Sequence, residues 1–332
     1  MDKEGTMAAG PGSSQPAAAF DLAKGIDAAI VDKRFRGTDR YLDLVTWNIR
    51  WFNSRDPQRV ENMVTVLSAL NADILVLQEI ELGSLEEVAG RLSDAGVGLY
   101  KVAYGTSGGD QRIAMLYDTE WVRAKDDVRE IVGKREVTTR AGKDAFPRLP
   151  LWGYFTGLPV NVRNEAFDFQ LVGVHLKSQL GDGVTDKEQR SKAATWLAHW
   201  LEGDAQQVDS DVLIVGDWNE PPSSDTWQPF ADLEAAEKVY FRSVNDDDAI
   251  SHLMYKRKDD IGSRLDLKVA SATVGGFKKA DPQVVRWTTL SKLLAGSPSA
   301  AQLKLFIKEV SRDLSDHMPV VSRFFFTPRR RR

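Results

Sequence analysis

Cysteine is absent from this 332-residue chain, which excludes disulfide cross-links and thiolate–zinc centres. Long apolar runs are absent too. Nothing approaches the roughly 20 residues that a helix needs to cross a bilayer, so no membrane span is expected. The N-terminus lacks a basic stretch followed by an apolar core; no signal peptide is visible, and a cytoplasmic location is expected. There is no Gly-x-x-x-x-Gly-Lys-Ser/Thr loop, which argues against P-loop nucleotide hydrolysis. There is no Gly-x-Ser-x-Gly elbow, which argues against a serine hydrolase. No EF-hand pattern supports a calcium site. Positive charge is not in excess either: the net charge is −4 even with the terminal arginine run 329–332 included. The chain is therefore no globally basic nucleic-acid binder, although a cleft can still concentrate positive charge locally.

What the chain does contain suits a soluble globular protein, with 42% hydrophobic and 28% charged residues. Residues 1–18 are rich in Ala, Gly, Ser and Pro and read as a disordered tail or one added for expression. Residues 19–40 read as an N-terminal arm with a partial helical pattern. Residues 41–327 read as a single domain, because motifs that must meet in space are spread along all of it. Residues 328–332 form a basic tail, read as a solvated end. A monomer is favoured.

Short apolar runs with polar residues at their margins dominate this domain. Residues 42–47 lead into Asn48, and residues 73–77 lead into Gln78 and Glu79. Residues 169–174 lead into His175, Leu176 and Lys177, and residues 212–215 lead into Gly216-Asp217-Trp218-Asn219. In Ser315-Asp316-His317-Met318-Pro319 the polar group comes first, ahead of Val320 and Val321. Such runs suit buried strands of an α/β sheet, and sites in α/β sheets gather beyond strand ends. Helices are expected after Asp56-Pro57, with Val60, Met63, Val64, Leu67 and Leu70 on one face. Capping boxes are expected at Ser84/Glu87 and Thr185/Glu188. Trp196, Leu197, Trp200 and Leu201 read as a core stripe, and Leu303, Phe306, Ile307 and Val310 as an additional helix.

Trp47-Asn48-Ile49, Leu77-Gln78-Glu79, Val174-His175-Leu176-Lys177-Ser178, Gly216-Asp217-Trp218-Asn219 and Ser315-Asp316-His317-Met318-Pro319 occur in an order that resembles the endonuclease/exonuclease/phosphatase superfamily, the DNase I-like phosphodiesterases. The matches run from about residue 42 to 322. The resemblance implies an α/β fold of two packed mixed β-sheets flanked by helices, a four-layer sandwich. It also implies a Mg²⁺-dependent phosphodiesterase, with Mn²⁺ as a substitute, because Mg²⁺ takes oxygen donors.

By the same resemblance, Asn48, Glu79 and Asp316 are metal residues. His175, Asp217, Asn219, Asp266 and His317 are catalytic: Asp217 and Asn219 position and activate the attacking water, and Asp266 orients His317. His175 stands where abasic-site repair members carry Tyr and DNase-like members carry His, and it is expected to protonate a leaving oxygen. Arg148, Lys177, Arg112 and Arg190 are expected to contact substrate, against a competing reading of surface pairing. For Asp217 and Asn219 the competing reading is an Asx-turn ahead of Pro221-Pro222. His199 and His252 match nothing in the pattern. The expected substrate is DNA, with RNA as an extension. The alternative is a small or lipid head-group phosphoester, and a non-catalytic binding module is the third reading.

Overall fold

The computed structural model describes residues 26–38, 41–157, 167–242, 250–257, 260–263, 266–271 and 282–325. The expected tails at 1–18 and 328–332 lie outside them. The strands are β1 (Tyr41–Phe52), β2 (Ile74–Ile80), β3 (Tyr100–Tyr104), β4 (Arg112–Asp118), β5 (Val122–Ala124), β6 (Arg129–Glu130), β7 (Leu151–Gly157), β8 (Phe167–His175), β9 (Val212–Asp217), β10 (Val239–Arg242), β11 (His252–Arg257), β12 (Asp260–Ser263), β13 (Asp266–Ser271), β14 (Gln283–Val284) and β15 (Val320–Phe325). The helices are α1 (Pro57–Leu70), α2 (Glu86–Asp94), α3 (Gly183–Glu202), α4 (Asp204–Val208), α5 (Gln228–Ala235), α6 (Thr288–Ala295) and α7 (Ala300–Asp313). None of the helices is long and apolar enough to cross a membrane.

One large sheet runs β14-β15-β1-β2-β4-β3, the other β10-β13-β9-β8-β7-β5 with β6 on β7, and β11 and β12 form a separate two-stranded sheet. Each large sheet has one parallel pair at its centre, β1 with β2 and β8 with β9. Alternation along these strands builds the sandwich, since residues two apart share a face. Leu42 and Leu44 of β1, Ile74 and Val76 of β2, Phe169 and Leu171 of β8, and Leu213 and Val215 of β9 pack in one cluster between the sheets. The intervening Val45, Trp47 and Ile49 pack instead with α1, α2 and α7, and Val172, Val174 and Ile214 pack with α3 and α5. Helix, sheet, sheet, helix is the resulting order of layers, as the resemblance implied.

Local signals hold in part. Asp56 caps α1 by accepting from the Gln58 and Arg59 amides, with Pro57 in the first turn. Ser299 and Gln302 form a capping box on α7, where Leu303, Phe306 and Val310 are buried. Two expected boxes do not form. Ser84 Oγ turns back to Glu81 O, and the Leu85 amide is taken by the Tyr104 hydroxyl. Thr185 lies inside α3 and donates to Asp182. The described part of the arm is two single 3-10 turns, Ala28–Ile30 and Lys33–Phe35, anchored by buried Ile30 and Phe35.

Candidate active site

The intersheet stripe of each central strand turns polar at its end. Asn48 follows Leu42, Leu44 and Thr46 on one face of β1; His175 follows Phe169, Leu171 and Gly173 on β8; Asp217 follows Leu213 and Val215 on β9. Glu79 breaks this rule. Strict alternation would put it with Leu75 and Leu77 on the helix side, but its φ of 62° lies in the left-handed region. Its carboxylate meets Asn48, whose Nδ2 donates to Glu79 Oε1 at 3.1 Å and to Asp217 Oδ2 at 3.0 Å. His175 Nε2 lies 3.8 Å from Glu79 Oε1 and 3.7 Å from Asp217 Oδ2. His317 Nε2 is also 3.7 Å from Asp217 Oδ2. Asp217 is thus the hub of the cluster, and it is buried, whereas Glu79 is partly open to solvent.

The backbone around the cluster is bent to fit. β1 is irregular between Asn48 and Phe52, and Arg50 and Trp51 have φ of 30° and 52°. Such geometry costs on the order of 1–3 kcal/mol per residue and persists only where its surroundings enforce it. Here Asn48 Oδ1 accepts from the Arg50 amide at 2.9 Å and Glu79 Oε2 from the Trp51 amide at 3.1 Å. Arg59 of α1 closes the bend from behind, donating to the carbonyls of Ile49, Arg50, Trp51 and Leu314 at 2.6–3.0 Å. The opposite flank is tied by Ser315 Oγ, which donates to Asn48 O at 2.6 Å, and by Trp47 Nε1, which donates to His317 O at 2.8 Å.

Asn219 and Asp217 form the Asx-turn of the competing reading while remaining at the cluster. Asp217 Oδ1 accepts from the Asn219 amide at 2.9 Å, and Asn219 Nδ2 donates to Leu176 O at 3.1 Å. Asp316 points elsewhere: its Oδ2 lies 3.3 Å from Arg50 Nε and 4.0 Å from His252 Nε2. The Asp266 side chain lies outside the described residues; its backbone pairs with Asp217 in the sheet.

The expected substrate contacts divide. Arg148 is drawn electrostatically by Glu79 and Asp217, while burial, the larger effect, lowers its pKa. Arg112 opens β4 opposite Ile80 and donates to Gly109 O. Lys177 pairs with Asp186 at 3.3 Å. Arg190 is a correction. Its side chain is 4% exposed and committed to Glu220 Oε2 at 2.6 Å and Lys177 O at 2.8 Å. It braces the strand end through these partners.

His252 was silent in the sequence and stands in the site. It forms a backbone bridge with His317, their rings 4.6 Å apart. His252, Asp316 and His317 offer three ligand atoms within 4.8 Å of one another. Burial, with the charges of His317, Arg50 and Lys256, pushes the His252 imidazole down to about 3. Burial, with Arg148 and His317, holds His175 well below the ordinary histidine range. His199 is exposed near the end of α3, away from any such partner.

The sequence profile of the Endonuclease/Exonuclease/phosphatase family matches residues 45–242, which contain Asn48, Glu79, His175, Asp217 and Asn219. The chain belongs to this family. Endonuclease/exonuclease/phosphatase proteins are phosphoesterases, in general dependent on a divalent metal. Among solved structures the chain is similar to a mannosyl-6-phosphatase of Bacteroides thetaiotaomicron, at 15% identity over 86% of this chain and 100% of that one, with a TM-score of 0.56. It is similar to TDP2 of Caenorhabditis elegans, at 18% identity over 88% and 99% of the two chains and a TM-score of 0.52. It is also similar to the catalytic domain of human Nocturnin, at 16% identity over 87% and 95% and a TM-score of 0.52. No curated protein sequence matches the chain. At these identities the likeness is one of fold.

Proposed function

We propose that this phosphoesterase is a divalent-metal-dependent nuclease that hydrolyses DNA phosphodiester bonds. The observation that carries the reading is the cluster of Asn48, Glu79, His175, Asp217 and His317, drawn from both sheets to within 3.0–3.8 Å of a neighbour. The Glu79 and Asp217 carboxylates, bridged by the Asn48 amide nitrogen, are hard oxygen donors, which fits Mg²⁺ or Mn²⁺. Glu79 would hold the ion, joined by Asn48 once its carboxamide turns its oxygen rather than its nitrogen toward Glu79; Asp316, paired with Arg50, stands apart from these two. When bound, a divalent cation stabilises charge on phosphoryl oxygens.

The chain's own residues supply the remainder. Asp217, fixed by the Asn48 amide and the Asn219 backbone, accepts a proton from the attacking water, and His317 beside it shares that proton. The water oxygen forms the new bond to phosphorus as the ester bond opposite breaks, and the departing oxygen takes its proton from solvent. His175 serves as a neutral hydrogen-bonding group, because burial beside Arg148 disfavours its charged form. In this reading the leaving oxygen's proton does not come from His175. Arg148, attracted toward both carboxylates, balances phosphate charge.

Supercoiled plasmid incubated with Mg²⁺, Mn²⁺ or EDTA, beside the Glu79→Gln variant, tests the reading. Nicking should require metal and fall roughly 10²–10⁴-fold in the variant, the usual scale for one essential polar group. Intact plasmid and intact oligonucleotides in every lane would sink it. Phosphate release from a sugar phosphate would then favour the second reading, a phosphatase on a small phosphoester. The similarity in fold to the mannosyl-6-phosphatase motivates that arm.

A further inference from the structure

Nine tryptophans occur in the chain. Eight are buried or half-buried, and Trp51 alone is exposed, at 58%. Its position is specified on both sides. The amide donates to Glu79 Oε2 at 3.1 Å, and the carbonyl accepts from Arg59 Nη1 at 3.0 Å. The left-handed φ of 52° is one that a bulky side chain rarely adopts. A large apolar ring is therefore held in water on a residue whose own amide bonds the Glu79 carboxylate of the site, and backbone contacts on both sides fix that residue. The core takes nothing from it. The neighbouring Arg50 carries a half-exposed guanidinium paired with Asp316 on the same rim.

A flat, exposed indole beside a phosphate-cleaving centre matches a flat partner. Bases stack on aromatic side chains with little regard to sequence, because every base has a π-face, but only an unpaired, unstacked base has that face free. We infer that Trp51 is a stacking platform for the base next to the scissile phosphate, and that the substrate is nucleic acid with unpaired nucleotides, as single strands or frayed ends, in preference to intact duplex. This inference rests on the nuclease reading above.

The test compares wild type, Trp51→Ala and Trp51→Phe on a single-stranded oligonucleotide, the same strand annealed into duplex, and a strand whose residue at the cleaved position lacks a base. Thermal melts check folding; an exposed side chain leaves it intact. Wild type should prefer the single strand. Trp51→Ala should raise its KM about 10-fold, within the range expected for one lost base–aromatic stack, with a much smaller change in kcat. Trp51→Phe should restore most of the loss. On the baseless strand the penalty should shrink to less than about twofold, since no ring remains to stack. Cleavage with equal KM in wild type and Trp51→Ala would overturn the platform and leave the nuclease standing. So would a wild-type preference for intact duplex. Failure of wild type to cut any of these strands with metal present would overturn both.

Discussion

His252 and His175 are both kept from protonating by burial, His252 down to about 3 and His175 well below its ordinary range. In the unfolded chain each would take up a proton near pH 6.5. Below that pH the unfolded state binds protons that the folded state refuses, so stability is complete above about 6.5 and is lost as pH falls toward the folded values. Each group contributes a slope of about 1.4 kcal/mol per pH unit within its window. The melting temperature should therefore drop steadily from pH 7 to pH 4.5, and His252→Gln should flatten the drop. Identical slopes in the two proteins would show that His252 carries none of it. This residue was illegible in the sequence because nothing local marks it. It reaches His317 only through the pairing of residues 251–253 with 316–318, 65 positions away. Asn48, His175 and Asp217 were legible for the opposite reason, since each extends a period-two apolar stripe that the sequence displays.

Arg59 links one element to another. It leaves the first turn of α1 and gathers carbonyls from the bend in β1 and from Leu314, which leads into Asp316 and His317. Burial lowers its pKa, an effect that the acidic groups Asp56, Asp316 and Asp313 oppose. Arg59→Met should cost about 2 kcal/mol, the scale for losing hydrogen bonds to a charged group. It should also weaken metal binding, because the bend that aims the Trp51 amide at Glu79 loses its rear support. A variant as stable as wild type, with unchanged metal affinity by calorimetry, would contradict this. Helix α1 itself was readable from its cap and its apolar face. The role of Arg59 was not, since an arginine in a first turn is ordinary on its polar side. The failed caps on α2 and α3 have a related cause. Ser84 and Thr185 take local partners three residues back, and at α2 the fold brings the Tyr104 hydroxyl to the free Leu85 amide.

The molecule as a whole divides its site between two sheets. Asn48 and Glu79 end one central pair, and His175 and Asp217 end the other. Their separation is set by the packing between the sheets, and Gly173 stands at a close contact in that packing. A Cβ there would lie 2.6 Å from Val76 Cγ1 and 3.0 Å from Ile113 Cγ2, both on the opposite sheet. Gly173→Ala should cost about 1–3 kcal/mol, as overpacked cores do. It should also lower turnover at least 10-fold, since displacements on the ångström scale can cost about 10²-fold. The double variant Gly173→Ala/Val76→Ala should recover much of both losses, and a failure to recover either would locate the strain elsewhere. Gly216 is stricter: its φ is 143°, and a Cβ would fall 2.0 Å from Val174 O. The two-sheet architecture was legible only through the family resemblance that the motif order carries. The pinch was not, because a strand glycine carries no mark of what faces it.

A genetic consequence follows from that divided site. Random variants selected for lost activity would include Gly173 beside the polar residues. Suppressors would arise as shortened side chains on the opposite sheet. A side chain at residue 173 would be inherited only together with a smaller residue at position 76.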